Sequence, residues 1–256
     1  MTIEQTIGIL GQIATWVTVL VVFLTLREME KQRKASQKPE LTIPNANIFG
    51  YPEVNNHLYI ALHFTNKEVK EDRTGRFEPP SVTIYNIGAG AAKEINLSWY
   101  FDIQNTVEFI QDFCFRNSIP VVIRIQDTIL AIGIEGGFDG YKLDSSFEYT
   151  YLMPASITSQ GLNSEIPPYL LKLISFLIFI AMQERGFEFG DFEIPSLSCK
   201  LSYVDIGGVR YTKKFDITFI PTLLSLSAKE KGLPFPKSIF QGSLEFKEIK
   251  DKRVRL

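Results

Sequence analysis

The sequence predicts a mainly β domain of antiparallel sheets packed as a sandwich, with one or two accessory helices and a single transmembrane helix in front of it. Three observations predict this. A stretch of twenty residues from Ile7 to Leu26 carries no charge, and past Pro39 the hydrophobic period changes to two and recurs through eight or nine segments. Helical patterns alternate with those segments too rarely for a parallel, doubly wound sheet. The expected organisation is a short extracytoplasmic tail (1–6), a span (7–26), a charged helical stalk (27–38), the β domain (39–249) with an apolar helix at 167–183, and a basic C-terminal tail (250–256).

The first element is the anchor. Twenty helical residues rise ~30 Å, the thickness of a bilayer's hydrocarbon core. Ile7, Trp16, Phe23 and Leu26 are its apolar markers, while Thr15, Thr18 and Thr25 can return their hydroxyls to the helix backbone. A cleaved signal peptide needs a basic leader, and Met1–Thr6 holds Glu4 with no lysine or arginine. The bases lie on the far side, at Arg27, Lys31, Arg33, Lys34 and Lys38. An excess of lysine and arginine marks the cytoplasmic end of a span, so the N-terminus is expected outside and the domain in the cytoplasm, at the inner membrane. The stretch REMEKQRKASQK continues as good helix former until Pro39, which holds the domain ~18 Å from the bilayer. Its bases are either a solvated stalk or a contact to anionic headgroups.

The strands come next. Leu58, Ile60, Leu62 and Phe64 alternate with polar or small neighbours, as do Ile95, Leu97, Trp99 and Phe101, and Tyr211, Phe215, Ile217 and Phe219 share a face with Val209. Further strands are expected at Leu41–Ile48, Ser81–Tyr85, Pro120–Ile125, Phe147–Met153 and Gly242–Ile249. One buried face per strand favours two packed antiparallel sheets. NIGAG (Asn86–Gly90) and DIGG (Asp205–Gly208) read as hairpin turns, and the charged segment Val69–Pro80 as an exposed loop. Thr106–Arg116 fits a helix capped by Asn105 and fits a strand equally. Tyr169–Met182 (YLLKLISFLIFIAM) breaks the β pattern: it is apolar on almost every side, yet fourteen residues rise only ~21 Å, short of a span. It is expected to pack across an open end of the sandwich, with membrane or partner contact through Leu173, Phe176, Leu177 and Ile180 as the alternative.

Composition removes several chemistries. The formal charge of −2 gives no reason to expect nucleic acid, whose binding rests on neutralised phosphates. Two cysteines, Cys114 and Cys199, make no disulfide framework and no Cys-x-x-Cys pair, and the run Leu197, Cys199, Leu201, Tyr203 turns Cys199 inward as a reduced thiol. Gly88-Ala-Gly90 would need a following helix to hold a pyrophosphate, and a strand follows instead. The cluster Gly136 to Gly140 lacks the ligands of a calcium loop and reads as a turn. His57 and His63 sit ~20 Å apart along an extended strand, too far for one metal. Asp102, Asp112, Asp127, Asp139, Asp144, Asp191 and Asp205 form no pair by local spacing, and Asp205 is expected to serve its turn. No catalytic residue, metal ligand or cofactor site is therefore expected.

The anchor with its basic stalk, the stretch YNIGAGAAKEI (Tyr85–Ile95) and the hairpin LSYVDIGGVRYTKKFDI (Leu201–Ile217) together resemble uncharacterised bacterial single-pass inner-membrane proteins with a cytosolic immunoglobulin-like β-sandwich. The resemblance covers most of the chain, implies an immunoglobulin-like sandwich, and brings no catalytic residues. Some proteins of this build are encoded beside anti-phage defence genes, so it allows that role. The expected function is a non-enzymatic, membrane-tethered interaction module that presents the sandwich to a cytosolic protein partner, with the bilayer as its other partner and self-association compatible with both. The alternatives are a membrane-acting effector that inserts or oligomerises through 169–182, and a hydrolase whose site is assembled from distant residues.

Overall fold

A computed structural model of the chain describes residues 3–52, 60–67, 79–134, 137–185, 197–224 and 240–249, and within the first helix the side chains of 15–33. The expected loop at Val69–Pro80, apart from its last two residues, lies outside these residues. So do Leu58 at the start of its strand, His57, Asp191 and the basic tail.

Helix α1 (Ile3–Ser36) is continuous through the predicted span and stalk. After it the chain is mainly antiparallel β among the described residues. A small sheet pairs β1 (Leu41–Thr42) with β4 (Ser81–Asn86) and β4 with β10 (Leu162–Glu165). The large sheet runs in the order β3 (Ala61–Thr65), β2 (Ala46–Pro52), β13 (Phe240–Glu248), β12 (Arg210–Leu224), β11 (Leu197–Asp205), β5 (Ala92–Tyr100), β9 (Ser146–Leu152). A meander of β6 (Val121–Gln126), β7 (Ile129–Ile134) and β8 (Gly137–Lys142) forms the third sheet.

The period of two is the cause of the large sheet's buried face. Ile95, Leu97 and Trp99 on β5, Leu197, Cys199, Leu201 and Tyr203 on β11, and Phe215, Ile217 and Phe219 on β12 all turn into one continuous core. Lys214, Asp216 and Thr218 between them stay exposed. Aromatic edges lock the layer: Trp99 meets Phe246 at 6.1 Å and Phe219 meets Phe240 at 5.8 Å, both edge to face.

Several local expectations are corrected. Leu41–Ile48 is two strands, because the chain passes from the small sheet to the large one through Ile43–Asn45, with Pro44 in the step. NIGAG does not close a hairpin: β4 before it belongs to the small sheet and β5 after it to the large one. The glycine cluster read as a turn is strand from Gly137 onward, paired with β7. Thr106–Arg116 is helix α2 (Ile103–Arg116), whose cap is Asp102 and not Asn105; the Asp102 carboxylate accepts the Asn105 amide at 3.3 Å. Val107, Ile110, Phe113 and Cys114 are its buried face, a helical spacing that settles the ambiguity.

Helix α3 (Pro168–Arg185) is buried all round from Tyr169 to Ala181, where it packs against α2, β3 and β8. Leu173, Phe176, Leu177 and Ile180, the four residues weighed for membrane or partner contact, therefore face the core. Its two polar positions are housed rather than exposed. Lys172 is 5 % exposed with its ammonium over the rings of Phe64 (5.5 Å) and Tyr141 (5.3 Å), and Ser175 Oγ accepts the Ala61 amide at 2.8 Å. Ser175→Ala strands that buried amide on β3, so urea unfolding of the variant should show a loss of about 1–3 kcal/mol; an unchanged midpoint would mean water reaches Ala61. Cys114 and Cys199 are free and buried, and burial raises both thiol pKa values, that of Cys199 to about 12. Neither is a thiolate near neutral pH.

Candidate functional site: the joint between helix and domain

Pro39 ends α1 because it lacks an amide and restricts the residue before it, and the chain then enters β1 within two residues. At this point the NIGAG stretch clamps it. Ile87 N donates to Glu40 O at 2.8 Å and Gly90 N to Lys38 O at 3.3 Å. Asn86, 1 % exposed, is the hub: its Oδ1 accepts from Glu40 N and Gly88 N, each at 3.1 Å, while its Nδ2 donates to Gly90 O at 2.7 Å and Leu152 O at 3.3 Å. Gly90 is required by close approach, since a Cβ there would overlap the Gln37 carbonyl. One side-chain amide thus ties the residue before β1, the sheet crossing and the end of β9 together.

The β11–β12 hairpin supplies the other wall. Asp205 serves its turn as expected, accepting from Val209 N at 2.8 Å, with Gly208 at φ 86°. Its second oxygen accepts from Tyr211 OH at 3.0 Å, and the Tyr211 ring stacks on Tyr203 at 5.4 Å. Lys38 Nζ lies 5.4 Å over the Tyr211 ring, and Lys213 Nζ reaches Glu248 at 2.9 Å and Glu40 at 3.6 Å. Burial pushes the Tyr203 phenol up to about 12, against a bond to the Leu41 backbone that lowers it. Tyr211 is raised by burial and then by Asp205. Both rings are neutral at physiological pH, so the joint is an aromatic and ion-paired collar with no titrating nucleophile.

On the helix side, Trp16 is 74 % exposed, and every described side chain from Thr15 to Leu26 is exposed, Phe23 and Leu26 among them. Thr25 Oγ1 returns its proton to Val21 O at 2.8 Å, which satisfies the hydroxyl within the helix. Arg27, Lys31 and Arg33 are exposed, Lys31 resting 3.6 Å from Glu28. The side chains of Ile7 and Lys34 lie outside the described residues. Among the described residues no helix is long and apolar enough to cross a membrane. The part of the charge-free stretch whose side chains are described, Thr15–Leu26, covers twelve residues or ~18 Å.

The chemistry-bearing residues are dispersed. Asp102 caps α2, Asp112 pairs with Arg116 at 2.7 Å, Asp139 accepts from Tyr141 and Asp205 holds its turn. His63 is exposed on β3. Among the described residues no three His, Cys, Asp or Glu side chains gather around one point. Sequence reading missed Asn86, Glu40 and Lys213 as a group, because Glu40 lies 46 residues from Asn86 and farther still from Lys213. The one local signal was an asparagine at a strand end before Gly-x-Gly.

No family model, no curated protein and no solved structure matches the chain.

Proposed function

We propose that the protein is a membrane-tethered, non-enzymatic interaction module: α1 is a single-pass anchor in the inner membrane with its N-terminus outside, and the domain is held in the cytoplasm for a protein partner. The observation that carries this reading is the coupling of an apolar helix, exposed on every side from Trp16 to Leu26, to a domain clamped at its exit. A helix apolar all round in water has no other solvent to prefer, and lipid is the one that accepts it. The partner surface is best sought at β9, which ends the large sheet with no strand on its outer side among the described residues and exposes Glu148 and Tyr151. The opposite end strand, β3, packs against α3. An open edge offers backbone pairing to an added strand.

An immunoglobulin-like sandwich is part of the proposal, supported by antiparallel pairing and by chain crossings between sheets, such as β1 to β2 and β4 to β5. Seven strands in one sheet exceed the roughly three to five of such domains and weigh against it. A role in anti-phage defence rests on the resemblance alone. The effector alternative meets an energetic objection. Nine apolar side chains between Leu170 and Ile180 are buried, and the helix packs on α2, β3 and β8. Pulling α3 out for insertion would expose to water the core surface that it covers.

The test is topology. A tag after Leu256 should resist protease added to intact cells, and alkaline washing should leave the protein in the vesicles. Release by alkali, or digestion of the tag from outside, would overturn the reading.

A further inference from the structure

Where the chain steps from β1 to β2, a cleft of about 430 Å³ opens between the small and large sheets. That volume lies within the roughly 300–1,000 Å³ of small-molecule sites. Its walls are Pro44–Ala46, the end of β3 with Asn66 and Lys67, the outward residues of β4 including Thr83 and Tyr85, and Asn163 of β10.

The polar groups here are unevenly used. Asn45 Oδ1 accepts the Phe246 amide at 3.3 Å, Asn163 Oδ1 accepts the Thr83 hydroxyl at 2.9 Å, and Asn66 Oδ1 accepts the Ser81 amide at 2.6 Å while its Nδ2 donates to Asn47 O at 2.9 Å. Each of these three amide oxygens already accepts one bond from the protein itself. Left without a bond among the described residues are Asn45 Nδ2, Asn163 Nδ2, the Lys67 ammonium and the Tyr85 hydroxyl, and the described lining holds no carboxylate. Each of these can donate. A site with one positive charge, two free amide nitrogens and a phenol that can donate is complementary to an acceptor-rich anion.

We infer that this cleft binds a small anion bearing a phosphate or carboxylate group, with Lys67 and the free amide nitrogens of Asn45 and Asn163 as its donors. The apolar faces of Pro44, Pro79 and Tyr85 leave room for an uncharged portion beside the anionic group. Among the described residues a carboxylate tempers the field from outside the lining: Glu165 sits opposite Ser81 in the β10–β4 register, on the face that carries Asn163. It makes the sign of the field testable. The site needs no membrane, so it stands or falls separately from the anchor.

The experiment is calorimetric titration of the detergent-solubilised full chain with orthophosphate, citrate and short-chain phosphatidylglycerol below its micelle concentration. At least one should bind, and Lys67→Glu and Asn163→Asp should each weaken it about 10- to 100-fold, the loss of one charge-assisted hydrogen bond. Glu165→Gln should tighten it. Phosphatidylglycerol binding that orthophosphate competes away would make a lipid headgroup the source, and binding of orthophosphate or citrate alone would make it a soluble metabolite; either supports the site. No binding of any probe up to about 10 mM, or an affinity unmoved by Lys67→Glu in a variant with unchanged far-UV circular dichroism, would overturn it.

Discussion

Phe176→Ala is expected to lower the unfolding free energy of the domain by about 3–5 kcal/mol, read as a shift of the urea midpoint for the detergent-solubilised chain. Phe176 is fully buried on a helix that has no solvent face, and its neighbours Leu173, Leu177 and Ile180 are buried with it. The ring cannot be replaced by inward movement, because α2, β3 and β8 already enclose the helix. The volume is left as a cavity whose lining loses its dispersion contacts. Phe176→Leu, which keeps most of that volume, should cost under about 1.5 kcal/mol. A helix held at the surface for membrane or partner contact would behave differently: Phe176→Ala would leave the midpoint within about 0.5 kcal/mol, and the buried-core assignment would fail.

Asn86→Ala should cost about 2–4 kcal/mol, since it removes four hydrogen bonds of a buried amide and leaves the Glu40 and Gly88 amides and the Gly90 and Leu152 carbonyls to find other partners. The effect should also be local. Hydrogen exchange of the peptides covering Glu40 and Ile87–Gly90 should quicken ahead of the β11–β12 ladder, because the joint opens without the sheet. Asn86→Asp retains the two acceptor bonds at Oδ1 and loses the two donor bonds, so it should fall between wild type and alanine. Equal exchange across joint and sheet would show that Asn86 stabilises the whole domain and that the helix is not separately clamped.

If α1 is the membrane tether proposed above, the joint gives that tether mechanical content. A flexible linker would let the domain sample every orientation at the membrane, whereas backbone bonds from Ile87 and Gly90, the Asn86 hub and the Lys213 ion pairs fix its base against the helix exit. The ion pairs add little individually, as Glu40 and Glu248 are largely exposed. Orientation rests on the buried amide.

Local pattern alone was enough for the alternating faces of β5, β11 and β12, the turn role of Asp205, the inward thiol of Cys199 and the charge-free stretch followed by bases. Each is a property of residues within one turn or one strand, where geometry repeats every two or 3.6 positions. The tertiary structure decided the rest. Whether NIGAG closes a hairpin or crosses between sheets depends on which strand lies beside β4, and β10 is about eighty residues away. Periodicity states that Tyr169–Met182 is apolar all round but not what surrounds it, and the answer came from Ala61, 114 residues distant from Ser175. The Asn86 hub and the donor-lined cleft were invisible for the same reason: a hydrogen-bond partner is chosen by proximity in space, and sequence spacing records proximity only along the chain.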